Sequence, residues 1–590
     1  MLFKELAEYY DELEAVSSRL TMVEILAKAF KAANPTEIGK IIYMTEGVLA
    51  PPFEGIESGV AEKTMIDALA LATGHPKEDV EREYKSSGDM GLAAMAVSKK
   101  SRLKRIVQKQ FTVGEMYDSM RKIATISGSG SKLHKVRLLA DMIASSTPSE
   151  IKYIARYPLG QLRLGVGDAT ILEALSLMAT GERRSKAELE RAFNICSDLG
   201  AVGEALKMGG IGAIAEFRVS LFKPIKPELA ERLSTAEEIV EKMGGESSVE
   251  QKYDGFRCQV HKDGKSVKIY SRRLEETTEM FPEIIKAAIN EVSAKRVIFE
   301  GEALAFNEST GEFLPFQETI QRKRKHGIAE KAESMPLRLF AFDLMYMDGK
   351  DYMQVPYSER RASLEKVIRG SGTILPSKRI VTGSAKELER FFEESIEEGL
   401  EGIIAKDMSS PYSAGARKFS WIKMKRSYKG ELSDTIDLVI IGYYLGKGAR
   451  AEFQFGGLLC AAYNKDRDMF ESVSRIGTGF TEAQMSELEK RLERIKSRER
   501  PARVDSVVVP DFWVDPIYVV VVRADEITRS PTHTCGRAER GNTAHIGYAL
   551  RFPRLVGEGT IRSDKGPEDA TTTREIIEMF EEQKHVGINR

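Results

Sequence analysis

The residue pattern predicts three structural units in succession: an all-helical unit, a mixed α/β unit and a small β-barrel. Helical periodicity fills about the first 215 residues. Strand-like and helical runs alternate after Lys223-Pro224-Ile225-Lys226-Pro227, and runs rich in Val, Ile and Tyr dominate from Tyr428 on. The length of 590 residues accommodates such a succession, and 42% apolar with 30% charged residues is globular composition.

In the first unit Met22, Leu26 and Phe30 recur at four-residue spacing beside Val23 and Ala27, which makes one apolar stripe. Similar patterns predict helices over Lys135–Ala144, Ala169–Met178 and Lys186–Leu199, with Gly-rich breaks at 127–130 and 209–212. The two prolines of 223–227 favour extended backbone and end this unit.

The second unit offers strands at Phe256–Val260, Ser266–Tyr270, Arg296–Phe299, Leu337–Leu344 and Gly402–Ala405, with helices at Pro282–Val292 and Ala385–Glu398 between them. In the third, Ile436–Leu445 and Ile517–Val522 read as buried strands, Ala483–Ser497 as an inserted helix and Thr573–Gln583 as a terminal helix.

Lys and Arg number 88 against 89 Asp and Glu, so net charge names no partner; any nucleic-acid contact must come from local clusters. Cys196, Cys258, Cys460 and Cys535 lie far apart with no CxxC, which argues against a zinc cluster and a disulfide framework. Glu8, Asp11, Glu12 and Glu14 argue against a signal or transit peptide, and no apolar run reaches the ~18 residues a membrane span needs. The expectation is a cytoplasmic protein.

Glu250-Gln251-Lys252-Tyr253-Asp254-Gly255-Phe256-Arg257 is the most informative stretch. A nucleophilic lysine needs a lowered pKa from desolvation or nearby cations, and Gly255 permits a tight turn or a close backbone approach. The plainer reading is a strand-end turn with an exposed lysine. Further along come Ser271-Arg272-Arg273, Glu300-Gly301-Glu302, Phe340-Ala341-Phe342-Asp343, Glu401-Gly402-Ile403-Ile404-Ala405-Lys406, Tyr412-x-x-Gly415-x-Arg417 and Trp421-Ile422-Lys423-Met424-Lys425. Cations for phosphates, a carboxylate for Mg²⁺ or ribose and an aromatic ring for a base are what a nucleoside triphosphate site requires.

This ordered set resembles the covalent nucleotidyltransferases, and closely the ATP-dependent DNA ligases of archaeal and eukaryotic replicative type. Gly160-Gln161-Leu162-Arg163-Leu164-Gly165-Val166-Gly167 is similar to the signature of their helical DNA-binding domain. Ala549-Leu550-Arg551-Phe552-Pro553-Arg554 and Arg562-Ser563-Asp564-Lys565 are similar to their closing motifs. The resemblance implies a helical DNA-binding domain over 1–217, an α/β adenylyltransferase domain of ATP-grasp-like nucleotidyltransferase fold over 218–427, and a β-barrel OB-fold domain over 428–590.

It also implies roles. Lys252 takes AMP; Glu250 lies at the adenine and Phe342 stacks on it; Arg257, Arg272 and Glu302 line the ribose and phosphate side. Arg417 and Lys423 hold phosphates with Lys425 beside them, Glu401 and then Glu302 are metal ligands, and Arg562 and Lys565 orient the pyrophosphate. ATP and Mg²⁺, with Mn²⁺ as an alternative, are the implied cofactors. Ala414, Phe256 and Arg273 depart from the family pattern without removing a proposed catalytic group. Phe342 could equally be core, and Glu302 and Glu401 solvated acids.

Nicked duplex DNA is the implied substrate. The basic runs Lys99–Lys109 and Arg322–His326 suit sequence-independent phosphate contacts, with solvated helix faces as the alternative. Arg551 and Phe552 fall where the family meets the minor groove. Gln108-Lys109-Gln110-Phe111 sits where archaeal ligases carry a sliding-clamp motif, without its second aromatic. The implied activity is that of a monomeric enzyme sealing nicks in replication, repair and recombination. An mRNA-capping guanylyltransferase, an RNA ligase, an NAD-dependent ligase and a non-catalytic DNA-binding scaffold are the alternatives. The helical first unit, the missing cysteine cluster and the retained Lys252, Glu302, Glu401, Lys423 and Lys425 weigh against them.

Overall fold

A computed structural model describes the protein except at residues 104–108, 308–311, 314–335, 369–371, 399, 426–434, 446–455, 525, 538–545, 557–560 and 588–590. The basic stretch 322–326 and Gln108 therefore lie outside the described residues.

Between Phe3 and Ala215 the described residues form a succession of helices. The predicted stripe is the buried face of helix Arg19–Ala32, whose start is capped by Ser18 accepting from the Thr21 amide at 3.4 Å. The Gly-rich stretch 127–130 leads into helix Ser131–Ser145 as expected. The span Lys186–Leu199 is not one helix: Lys186–Cys196 ends at Ser197, in the left-handed region at φ 53°, and Asp198 caps a new helix, Leu199–Ala215. Gly210, at φ 64°, kinks that second helix. Arg156 lies buried in the helical core and ties three elements together, reaching Asp89 at 2.8 Å and Glu14 at 3.0 Å.

Two sheets face each other in the central region. One has the strand order Leu229–Arg232, Arg417–Lys425, Gly402–Asp407, Ser247–Lys252, Arg379–Thr382. The other is built on Ser266–Ser271, Phe256–Asp263, Arg296–Asn307 and Leu337–Met347. All five strands expected here form, and helices Pro282–Glu291 and Ala385–Glu397 stand where the periodicity puts them.

The C-terminal region is β-rich. Strand Ile436–Tyr444 pairs with Gly457–Asn464, Phe512–Val514 and Val519–Arg523. Its alternation divides the core: Ile436, Leu438 and Ile440 pack with helix Glu482–Leu492 and the terminal helix, whereas Val439 and Ile441 pack on the opposite face. The inserted helix is shorter than predicted. It stops at Leu492, and Lys496–Ser497 is already a strand paired with Phe512–Val514. Helix Thr573–Gly587 closes the chain. No helix among the described residues is long and apolar enough to cross a membrane, and all four cysteines are free and buried.

Candidate active site

Strand register builds one wall of the site. Gly402 lies opposite both Lys252 and Lys425, and Ile404 opposite both Glu250 and Lys423. Residues directly opposite share a face of a sheet, so these four polar side chains form two adjacent rows. Gly402 has φ 148°, and a Cβ there would collide with the Met424 carbonyl. Its missing side chain leaves room between the two lysines. Gly255 serves a related purpose, because a Cβ would strike the Ala303 carbonyl of the facing sheet.

The opposite wall carries Arg257, paired in register with Glu302, and Phe342. Between the walls is a cavity of about 590 Å³ that Lys252, Glu250, Arg257, Arg272, Glu302, Phe342, Glu401, Arg417, Lys423, Lys425, Arg562 and Lys565 all line. Every candidate for the nucleotide site named from the sequence is thus brought to one place.

Lys252 donates to Glu401, and Lys425 contacts the other oxygen of the same carboxylate. Burial works to raise the Glu401 pKa, but these two ammonium groups outweigh it and hold the carboxyl far below the usual range. Burial dominates at Glu302 and pushes it up to about 7. Asp254 is the third carboxyl beside Lys252, and it too is raised by burial.

Glu250 is enclosed by donors. Tyr357 donates to it, Ser377 donates at 2.8 Å and the Lys406 ammonium lies at 3.1 Å. Phe342 stands edge-on to Trp421, with ring centroids 6.0 Å apart, and the Lys406 ammonium lies 4.8 Å from its centre. Arg257 lies 5.4 Å from the same ring and spends its donors on protein: Glu300 at 2.7 and 3.2 Å and the Glu228 carbonyl at 2.9 Å. It forms the floor under Phe342.

Arg417 and Lys423 meet Glu575, a carboxylate of the terminal helix; the Lys423 contact is 2.9 Å. Burial outweighs that pairing and pulls the Lys423 pKa down to about 8, while Glu575, facing two cations, is held well below the ordinary range. Arg562 and Lys565 reach the cavity from the C-terminal region, and Arg273 donates to the Ser563 carbonyl at 3.1 Å.

Three family models match the chain in succession: "DNA ligase N terminus" over residues 2–176, "ATP dependent DNA ligase domain" over 227–425 and "ATP dependent DNA ligase C terminal region" over 451–565. A "Probable DNA ligase" of Dictyoglomus turgidum is 48% identical over 584 residues, covering 99% of this chain and 98% of the relative. A "DNA ligase" of Pyrobaculum calidifontis is 43% identical over 592 residues, covering 99% and 100%, and one of Acidianus ambivalens is 40% identical, covering 99% and 98%. The chain belongs to the ATP-dependent DNA ligases.

As a member of that family it uses ATP to join DNA ends at nicks, forming phosphodiester bonds. In and behind the walls of the ligase's cavity are groups that sequence reasoning missed. Tyr357, Arg361 and Ser377 surround Glu250 from a helix and a loop outside every motif considered, and nothing in local sequence marks them. Lys406 did carry a signal, since it closes the Glu401–Lys406 segment. Glu575 and Asp437 lie beyond the central region and are brought in by packing alone.

The DNA-facing candidates are distributed differently. Lys99 and Lys100 are exposed; Arg102 pairs with Asp79 at 3.2 Å and Lys109 with Glu115 at 3.1 Å. In the signature loop, Arg163 is half-buried between Asp89 at 3.3 Å and Asp515 at 3.6 Å, and Gln161 donates to the Arg494 carbonyl. Arg551 is exposed, and Phe552 is 72% exposed at φ 50°. Phe111 is only 7% exposed within the helical core, and its carbonyl accepts from the Phe3 amide at 2.8 Å.

Proposed function

We propose that Lys252 is the residue that takes AMP, and that sealing proceeds through a lysyl-AMP and a 5′-adenylated DNA. The observation that carries this is the convergence of Lys252, Arg417, Lys423 and Lys425 on one sheet face across from Phe342 and Glu302. First, the Lys252 Nζ–phosphorus bond forms at the α-phosphate, the bond to the bridging oxygen breaks, pyrophosphate leaves and the lysine loses a proton. Next, a 5′-phosphate oxygen of the nick attacks the AMP phosphorus and Lys252 leaves as the amine, taking up a proton. Last, the 3′-hydroxyl attacks the 5′-phosphate, loses its proton and releases AMP.

In this reading Phe342 stacks on adenine, Glu250 lies at its edge, and Arg257, Arg272 and Glu302 border the sugar and phosphates. Arg417, Lys423 and Lys425 hold phosphates, and Arg562 and Lys565 steer the pyrophosphate. Lys252 must release Glu401 before its lone pair is free to attack.

The donor set fits Mg²⁺, or Mn²⁺ in its place: Glu401, Glu302 and Asp254 offer carboxylate oxygens. No protein-only cage of three or more ligands exists among the described residues. Mg²⁺ is commonly held by one or two carboxylates plus phosphates and water. Bound there, the ion would offset phosphate charge.

The domain reading is 1–217, 218–427 and 428–590, with the helical part gripping duplex DNA, the two facing sheets as the nucleotidyltransferase fold and the C-terminal part as an OB-fold. Exposed Lys99, Lys100 and Arg551 support the DNA contacts. One chain carries the nucleotide site and the DNA-facing regions, which suits a monomer at work in the cytoplasm on replication, repair and recombination nicks. A sliding-clamp contact through 108–111 would require Phe111 to leave the core.

Lys252→Ala and Lys252→Arg test the reading. Both should lose ATP-dependent sealing, because arginine stays protonated and is a poor nucleophile. Lys252→Ala should still close a nick that already carries a 5′-adenylate, since the last transfer does not use the lysine. Undiminished sealing from ATP would refute the assignment.

A further inference from the structure

Asp437 is out of place in its strand. It lies between Ile436 and Leu438, both fully buried, and is itself 8% exposed. A carboxylate in such a position is costly unless cations compensate it, and well-packed apolar residues often serve stability as well as a buried ion pair does. Its presence there therefore calls for a reason beyond stability.

Its side chain points into the reaction cavity and meets the two closing cations. One oxygen contacts the Lys565 ammonium, and the other lies 3.8 Å from Arg562 Nη1. That second oxygen is buried without a hydrogen-bond partner among the described residues. The scaffold around it is fixed. The Asp437 amide donates to the Thr571 hydroxyl at 3.1 Å, and its carbonyl accepts from the Thr571 amide at 2.8 Å. Asp437 pairs in register with Val521, and two residues earlier on that strand the Val519 carbonyl accepts from the Arg562 amide at 2.8 Å. Arg562 has a second carboxylate, Asp564, which accepts from Nε and Nη2 at 2.7 Å each. Lys565 pairs with Asp437.

We propose that Asp437 is a positioning residue for the first transfer: it holds Lys565, and secondarily Arg562, as one unit aimed at the departing pyrophosphate. The proposal rests on the reading of Arg562 and Lys565 given above. A lysine ammonium rides on a flexible four-carbon stem, and here it lies among Arg272, Arg562 and the lysines of the central sheet. Without an anion, mutual repulsion would drive these cations apart before the nucleotide arrives. With Asp437 in place they are oriented beforehand, which is where a positioned charge contributes to rate. Asp437 and both cations belong to the same C-terminal region, so the contact does not depend on a residue of the central sheets.

A kcat-against-KM split separates this role from a structural one. Asp437→Asn keeps the shape and removes one negative charge, so the cavity becomes more positive and ATP should bind no worse. The rate of lysyl-AMP formation at saturating ATP should nevertheless fall ~10-fold or more, the scale expected for a lost charge-assisted contact. Asp437→Glu should recover part of it. Sealing of a nick already carrying 5′-adenylate involves no pyrophosphate and should stay within about twofold of the unmodified chain. Adenylylation at the unmodified rate, a rise in KM alone, or parallel loss in both assays would overturn the proposal. Lys565→Ala, measured alongside, separates the two claims. If it adenylylates normally, the role given to Lys565 fails; if it is slow while Asp437→Asn is not, only Asp437 fails.

Discussion

Lys423 shows how much a single residue's surroundings decide. Alternation along strand Arg417–Lys425 puts Lys423 and Lys425 on one face, and the strand pairing through Gly402 and Ile404 gives that face its neighbours. Lys423→Ala should slow adenylylation by about 10- to 100-fold, the range for losing a hydrogen bond to a charged group, while duplex binding changes little. An adduct formed at the unmodified rate would remove Lys423 from the site. Its pKa near 8 adds a pH test. The phosphate-binding form is the protonated one, present below pH 8 and lost above it. The kcat/KM for ATP should therefore fall as pH rises beyond that point, and Lys423→Arg should flatten this alkaline limb. That Lys252, Glu302, Phe342 and Glu401 come to one cavity could be anticipated, because each sits in a short motif with a chemical reason for its residue types. Tyr357, Arg361 and Ser377 were not, because an enclosure around Glu250 assembled from a helix and a loop leaves no local pattern.

At the scale of elements, the terminal helix carries the clearest consequence. Its periodicity predicted a helix over Thr573–Gln583, and helix Thr573–Gly587 forms. What it packs against is a long-range matter on which periodicity is silent. Ile576 and Met579 join the C-terminal core, while Glu575 reaches across to Arg417 and Lys423. A carboxylate there occupies the cations assigned to phosphate, so it competes with the nucleotide. Glu575→Gln should lower the KM for ATP several-fold, and it should lower the Tm of the DNA-free chain because one acid then leaves two buried cations unmatched. Unchanged KM with unchanged Tm would show the contact to be idle. The missed boundaries have local causes. Ser197 in the left-handed region splits Lys186–Leu199, and pairing of Lys496–Ser497 with Phe512–Val514 claims residues whose composition suited a helix.

For the whole molecule, the succession of helical, mixed and β-rich regions was legible because each has its own periodicity, but their mutual docking was not. The signature loop of the helical region and the helix after it, Asp168–Thr180, lie against the C-terminal region: Gln161 donates to the Arg494 carbonyl, Arg163 faces Asp515, and the Thr170 hydroxyl donates to Asp468 at 3.3 Å. A duplex that uses Arg163 must first separate these surfaces. A chain starting at Phe217 should still form the adduct with ATP. It should seal nicks poorly at moderate salt, with the deficit widening as salt rises, because phosphate contacts are salt-sensitive. Equal sealing by the full and shortened chains across a salt series would deny the helical region its DNA-gripping role. The account as a whole turns on one atom, the Nζ of Lys252. The full chain should be incubated with ATP and Mg²⁺, digested under neutral conditions and mapped by mass spectrometry. AMP is expected on the peptide containing Lys252 and nowhere else; an adduct on any other residue, or none in a preparation that seals nicks, would contradict it.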